Sequence, residues 1–281
     1  MQAGKPSDTA RGAAAYRAIH QTVEGGAIFA DPFAASMLDD EARARLDEAA
    51  ANASLRPMRL FIAARSRLSE DTLAACVGRG VRQVVILGAG LDTFALRNPY
   101  EALGVRVFEV DNVASQNWKL ERLTAACLSK PDSLTFVPVD FERESLAECL
   151  GAAGFDAHRA AFFQWLGVLP YLTREAVSST LDFIAGVPDS EVVFDYAEPL
   201  DNYPADRRAH IKALAALTAS RGEPWLSMFD PLELSEMLAK KRFQSIEDLG
   251  LAEISARFYG ALATDIPRGP GGHLVRARTM L

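Results

Sequence analysis

From residue 81 onward the chain alternates short, nearly continuous apolar runs with longer stretches whose apolar positions recur every three or four residues. The runs VRQVVIL (81–87), VRVFEV (105–110), LTFVPV (134–139), AAFFQW (160–165) and EVVFDY (191–196) are rich in β-branched and aromatic residues and too short for stable helices. They predict strands. The stretches 113–128, 142–151 and 173–185 predict helices between them. Apolar strands separated by helices require a parallel sheet covered on both faces. Beyond residue 200 the pattern predicts helices over 204–220 and 230–240, the second opened by Asp230-Pro231, and weaker strands over 243–249 and 273–280. The expected fold is α/β and Rossmann-like, with about seven mostly parallel strands and a late antiparallel pair.

Residues 9–76 have a different texture, rich in alanine, arginine and leucine and without strand runs. They predict several helices, one beginning after Asp31-Pro32, a good cap followed by proline at the first helical position. In SLRPMRLFIAARSRLSEDTLAAC the residues Leu60, Ala64, Leu68 and Leu73 fall near one face. We expect residues 1–76 to form a helical cover and 77–281 a Rossmann-like core of the same domain. A chain of 281 residues with 49% hydrophobic content can bury one such core.

Charge narrows the partners. With 30 basic against 37 acidic residues the formal charge is -7, which leaves no general field for a phosphate backbone, so nucleic acid is not expected. No apolar run is long enough to cross a membrane, and MQAGKPSDTARG lacks the apolar centre of a secretory signal. Cys76, Cys127 and Cys149 are odd in number and lack C-x-x-C spacing, as expected of mostly buried free thiols in the cytoplasm. Histidines 20, 158, 210 and 273 are scattered without metal-ligand spacing, and no metal is expected. His20 reads as an ordinary exposed histidine.

The chemistry gathers where the strands end. Small ligands of open α/β sheets bind beyond the carboxyl ends of the strands. Here those ends carry Gly88-Ala89-Gly90 with Asp92, then Asp111, then Asp140, then Gln164-Trp165. Each aspartate also suits the cap of a following helix. Asp111 stands 21 residues beyond Gly90, close to the spacing at which an acid takes up ribose hydroxyls. A dinucleotide would lay its pyrophosphate on this turn, but the third glycine of G-x-G-x-x-G is Thr93, and Asp92 would repel a phosphate. A phosphate-free nucleoside bearing positive charge, S-adenosyl-L-methionine, avoids that repulsion. Gly88, Ala89, Gly90, Asp92, Asp111, Asp140 and Gln164 are the cofactor-site candidates this reading yields, with Asp140 reaching the adenine amino group.

The ordered set QVVILGAGLDTFALR, VFEVD, FVPVDFE, FFQWLGVLPYLTREAV, VVFDY and GEPWLSMFDPLEL resembles the bacterial branch of the leucine carboxyl methyltransferase-like S-adenosylmethionine-dependent methyltransferases, over most of the chain from about Thr9 onward. The resemblance implies a seven-stranded methyltransferase fold with a helical cover over the cofactor. It implies that Gly88 and Gly90 pass close to the methionine part, that Asp111 binds ribose, that Asp140 and Phe141 frame adenine, and that Arg65 of ARSR receives the cofactor's carboxylate. A guanidinium suits that role because it pairs bidentately with carboxylates. Where the protein-phosphatase branch carries an acidic residue, this chain has Leu166, which turns the expectation toward small-molecule acceptors.

The expected reaction is O-methylation of a carboxylate or hydroxyl. Tyr171, which follows Pro170, and Tyr196, at the end of the fifth strand, are candidates for the acceptor wall. Trp165 reads as core. No catalytic base is singled out. Two alternatives stand beside this reading: an NAD(P)-dependent reductase, which in its short-chain class needs a Y-x-x-x-K pair absent here, and a non-catalytic S-adenosylmethionine-binding protein.

Overall fold

A computed structural model of the chain describes residues 7–140, 143–264, 266 and 269–280. The N-terminal region is helical: α1 (Asp8–Val23), the short α2 (Asp40–Ala44) and α3 (Leu46–Ala51), and the long α4 (Arg56–Gly78). The core follows as β1 (Gln83–Leu87), β2 (Arg106–Asp111), α5 (Val113–Ala125), β3 (Leu134–Pro138), α6 (Leu146–Ala152), β4 (Ala161–Trp165), α7 (Arg174–Gly186), β5 (Glu191–Ala197), α8 (Ala205–Ser220), α9 (Pro231–Lys240), β6 (Phe243–Leu249) and β7 (Gly272–Thr279).

The seven strands form one sheet in the order β3-β2-β1-β4-β5-β7-β6. All neighbouring pairs are parallel except those made by β7, which runs antiparallel to both β5 and β6. This is the expected doubly wound sheet with its late antiparallel pair. Strand order reverses between β1 and β4, so the turns after these two strands diverge and open a crevice.

Two apolar layers hold the sheet. On one face Phe108, Phe163, Trp165 and Phe194 pack with the inward sides of α6, α7 and α9. On the other, Val84, Ile86, Val107, Phe162 and Val193 meet Leu60, Ala64, Leu68 and Leu73 of α4. All four of those α4 residues are buried, so this helix forms part of the covering layer itself. A smaller cluster of Ala14, Ala18, Met37, Leu38, Leu91 and Leu123 seats α1 beside α5.

The helix expected after Asp31-Pro32 does not form. A 3-10 turn over Ala34–Met37 stands there instead. The Asp31 carboxylate is drawn elsewhere: Oδ2 accepts from Arg17 Nε at 2.8 Å, and Oδ1 accepts from Thr93 Oγ1 at 2.7 Å and from Phe33 N at 3.2 Å. By contrast, Asp230 does cap α9, accepting from the N–H groups of Leu232 and Glu233. Of the three cysteines only Cys76 is buried, and all three are free.

Candidate active site

A cavity of about 470 Å³ lies over the crevice between β1 and β4. That volume is within the range of small-molecule sites. Its floor is the turn Gly88-Ala89-Gly90, and its walls include Arg65 from α4, Asp111 from the end of β2, and Tyr171 from the turn after β4. The first turns of α1 close it from the N-terminal side.

The turn needs its glycines. Gly88 has φ +64°, and a Cβ there would stand 2.4 Å from Val168 Cγ2. Gly90 has φ +48°, and a Cβ there would stand 3.0 Å from Ala10 Cβ of α1. Side chains disfavour this left-handed backbone, and the space belongs to the cover.

Asp111 is free of capping duty. The cap of α5 is Asn112, whose side chain accepts from Ser115 N at 2.9 Å. Asp111 Oδ2 instead accepts the N–H of Gly90 at 2.6 Å, and Oδ1 accepts from Asn112 N at 2.7 Å and Nδ2 at 3.0 Å. The Ser115 hydroxyl also approaches this carboxylate, and Asp111 lines the cavity at the end of β2. Burial pushes its pKa up from the ordinary aspartate value, an effect the Gly90 and Asn112 N–H groups partly offset.

Arg65 is held rigidly. Its Nη1 donates to Asp195 Oδ2 at 2.9 Å, and Asp195 Oδ1 accepts the Gly167 N–H at 2.5 Å. A Cβ on Gly167, where φ is +73°, would fall 2.8 Å from Nη1 and 2.9 Å from Nη2. The guanidinium therefore lies flat against the turn after β4. Asp195 was not anticipated: it stands within β5, two residues before that strand ends.

Asp92 and Gln164 line the cavity but are engaged with each other. Gln164 Nε2 donates to Asp92 Oδ2 at 2.9 Å, and Gln164 Oε1 accepts from Ser69 Oγ at 2.7 Å. Asp92 Oδ1 accepts the Phe94 N–H at 2.7 Å. The pair ties the glycine turn to β4 and α4.

Of the other candidates, Asp140 and Tyr196 do not line the cavity. Asp140 is exposed beyond β3 and is not among the lining residues. Phe141 lies outside the described residues. Tyr196 requires correction: it is buried, its hydroxyl donates to Asp248 Oδ2 at 2.7 Å, and its ring stacks on His273 at 4.8 Å. Its position on β5 turns it into the layer with Phe229 rather than toward the crevice. His20 also differs from expectation. It is fully buried, with Nδ1 3.0 Å from Glu24 and Nε2 facing the N–H groups of Ile28 and Phe29. Trp165 is core, as read.

Arg17 and Thr9 also line the cavity, as does Glu223, which lies in the GEPWLS segment but was given no role there. Arg17 Nη2 donates to Leu91 O at 2.7 Å and thereby ties α1 to the segment after the glycine turn. Glu223, from the loop after α8, accepts from Asp8 N at 2.9 Å and Thr9 N at 3.3 Å, satisfying open N–H groups at the start of α1.

A cofactor of the expected kind fits these residues. Glycines admit close approach, a braced guanidinium can receive a carboxylate, and a half-buried carboxylate on the cavity wall can receive hydroxyls. The fold is that of class I S-adenosylmethionine-dependent methyltransferases. Residues 10–185 match the leucine carboxyl methyltransferase family, and the chain belongs to that family.

Among its relatives, the protein YktD of Bacillus subtilis (strain 168), named as a provisional S-adenosyl-L-methionine-dependent methyltransferase, is 35% identical over 198 residues. That alignment covers 70% of this chain and 65% of the Bacillus protein, so the chain spans somewhat less than two thirds of its length. A Mycobacterium avium (strain 104) protein with the same provisional description is 28% identical over 86% of this chain and 77% of its own. A crystal structure from Thermobifida fusca YX, titled as a provisional methyltransferase, superposes with TM-score 0.60 at 18% identity, covering 100% of this chain and 97% of its own. A DUF574 family protein from Streptomyces avermitilis gives 0.59 at 16% identity, covering 98% of each chain. At these identities the likeness to the two structures concerns the fold.

Proposed function

We propose that the protein is an S-adenosylmethionine-dependent O-methyltransferase that acts in the cytoplasm on a carboxylate or hydroxyl of a small molecule. The observation that carries this reading is Asp111: a half-buried carboxylate at the end of β2, beside the crevice, relieved of capping by Asn112 and joined to Gly90 N. In this reading Asp111 accepts from the ribose hydroxyls, Arg65 receives the cofactor's carboxylate, and Gly88, Ala89 and Gly90 border its methionine part. Asp92 and Gln164 brace the turn beneath it. Asp140 is exposed and does not line the cavity.

When bound, the cofactor supplies a methyl carbon activated by a sulfonium. The chain's own task is alignment and exclusion of water. The cover does this through Ala10, Ala13 and Arg17 of α1, which close over the glycine turn. The lining adds Asp92 and Asp111 to Glu223, while Arg17 and Arg65 are paired with Asp31 and Asp195. Such a field favours a cation and opposes a diphosphate. The three free cysteines support a reducing compartment.

Calorimetric titration tests the reading. S-adenosylhomocysteine is expected to bind with a dissociation constant in the micromolar range and NADH not at all. Binding of NADH without response to S-adenosylhomocysteine overturns it.

A further inference from the structure

Three segments far apart in sequence meet in one wall of the cavity: the first turn of α1, the turn after β4 and the loop after α8. They bring together Thr9, Tyr171 and Glu223. Thr9 Oγ1 lies in hydrogen-bond contact with Glu223 Oε2 and 3.1 Å from Tyr171 Oη.

The direction of these bonds follows from counting protons. The Glu223 carboxylate accepts from two backbone N–H groups and has no proton to give, so the Thr9 hydroxyl donates its single proton to it. The contact between Thr9 and Tyr171 then needs a proton from Tyr171. Its phenol donates to Thr9, and its one proton is committed to that bond. Burial raises the phenol's pKa, so that proton is retained at neutral pH.

What Tyr171 presents to the cavity is therefore an oxygen lone pair. The Trp225 indole approaches the same oxygen but does not close a hydrogen bond. With the Trp225 Nε1–H unbonded, the in-plane lone pair of the phenol oxygen is open to a ligand. Around it Val168, Leu166 and Leu226 supply apolar wall.

We propose that Tyr171 reads the methyl acceptor as a hydrogen-bond donor, so that the acceptor is a neutral hydroxyl compound, a phenol or alcohol, and not a carboxylate. This inference rests on the methyl-donor reading of the cavity and narrows its substrate class. An ionised carboxylate has only acceptors, and it would meet a lone pair with a second carboxylate behind it. A hydroxyl offers the proton that Tyr171 lacks on that side.

The test uses small probes that tolerate an imperfect shape fit. The full chain, saturated with S-adenosylhomocysteine, is titrated with phenol, anisole and benzoate, and binding is followed by ligand-observed NMR. Wild type is expected to bind phenol about three- to tenfold more tightly than anisole or benzoate, the range of one neutral hydrogen bond. In Tyr171→Phe the preference for phenol over anisole should fall below about twofold. Thr9→Val should free the Tyr171 proton to turn inward, and benzoate should gain at least about threefold on phenol.

Benzoate binding as tightly as phenol, no phenol binding, or an unchanged phenol-to-anisole ratio in Tyr171→Phe overturns the inference. If Tyr171→Phe fails to fold, the Thr9→Val ratio decides alone. Failure of S-adenosylhomocysteine to bind wild type removes the methyl-donor reading itself; its binding without selectivity for phenol removes only the assignment of Tyr171.

Discussion

Arg65 and Asp195, 130 positions apart, meet at the cavity wall with Nη1 donating to Oδ2 at 2.9 Å, while the other carboxylate oxygen holds the Gly167 N–H. Asp195 is thus the residue that orients Arg65, and Gly167 is the surface on which the guanidinium rests. Among the described residues Nη1 is the one nitrogen of Arg65 so engaged, which leaves Nε and Nη2 for a ligand carboxylate.

Asp195→Ala should weaken S-adenosylhomocysteine binding about tenfold, the worth of one charge-assisted hydrogen bond to a misplaced guanidinium. Methylthioadenosine, which lacks the amino-acid end, should change by less than about threefold. Calorimetry with both ligands checks this. Equal losses for the two would mean that Asp195 supports the whole site rather than Arg65.

Asp111→Ala should cost at least about tenfold in S-adenosylhomocysteine affinity through loss of two charge-assisted bonds. The binding form is the carboxylate, and burial raises its pKa. Affinity should be full above that pKa and fall as pH drops through it, at higher pH than an ordinary aspartate would show. Asp111→Asn should bind weakly with this acid limb removed. Titrations at a series of pH values give the comparison.

Glu109 and Lys119 form a buried ion pair behind the site, Nζ to Oε2 at 2.6 Å, with Glu109 Oε1 lacking a partner among the described residues. Burial pushes the Glu109 carboxyl up to about 7 although Lys119 opposes the shift. Lys119→Met should destabilise the fold by about 3 to 5 kcal/mol by leaving the carboxyl alone. The double variant Glu109→Leu with Lys119→Met should recover most of that loss. Urea denaturation of the three proteins measures both effects.

His273 lies between Asp248, 2.8 Å from Nδ1, and Glu198, 3.1 Å from Nε2, with Tyr196 stacked on its ring. Burial lowers its pKa, but the two carboxylates outweigh it and the net direction is upward. A raised folded-state pKa contributes stability that is complete below the unfolded value near 6.5 and is lost as pH rises through the folded value. The melting temperature should therefore fall as pH rises above neutrality, and His273→Gln should flatten that part of the profile. A flat wild-type profile between pH 6 and pH 9 would show the histidine to be neutral throughout.

Periodicity alone determined the sheet and its order of secondary structure, because a strand buried on both faces has to be apolar along its length and a helix lying on it apolar on one side. QVVIL, VFEV and VVFDY announce themselves for that reason, and the capping chemistry of Asp230-Pro231 could be read from two residues. Gly88, Gly90 and Asp111 were equally legible, because the spacing of a turn and the next strand end is set by the local βαβ unit.

Pairings across the chain were decided only by the tertiary structure. Asp31 had every local mark of a helix cap and was taken instead by Arg17 and Thr93. Tyr196 stood at a strand end like Asp111, yet its side of the strand faces Asp248 and His273. Thr9, Tyr171 and Glu223 share nothing in sequence, and their hydrogen bonds exist because α1 folds back over the crevice. Local sequence sets backbone conformation through short-range sterics and hydrogen bonding, whereas a buried polar group takes whichever partner the packed layers bring within about 3 Å of it.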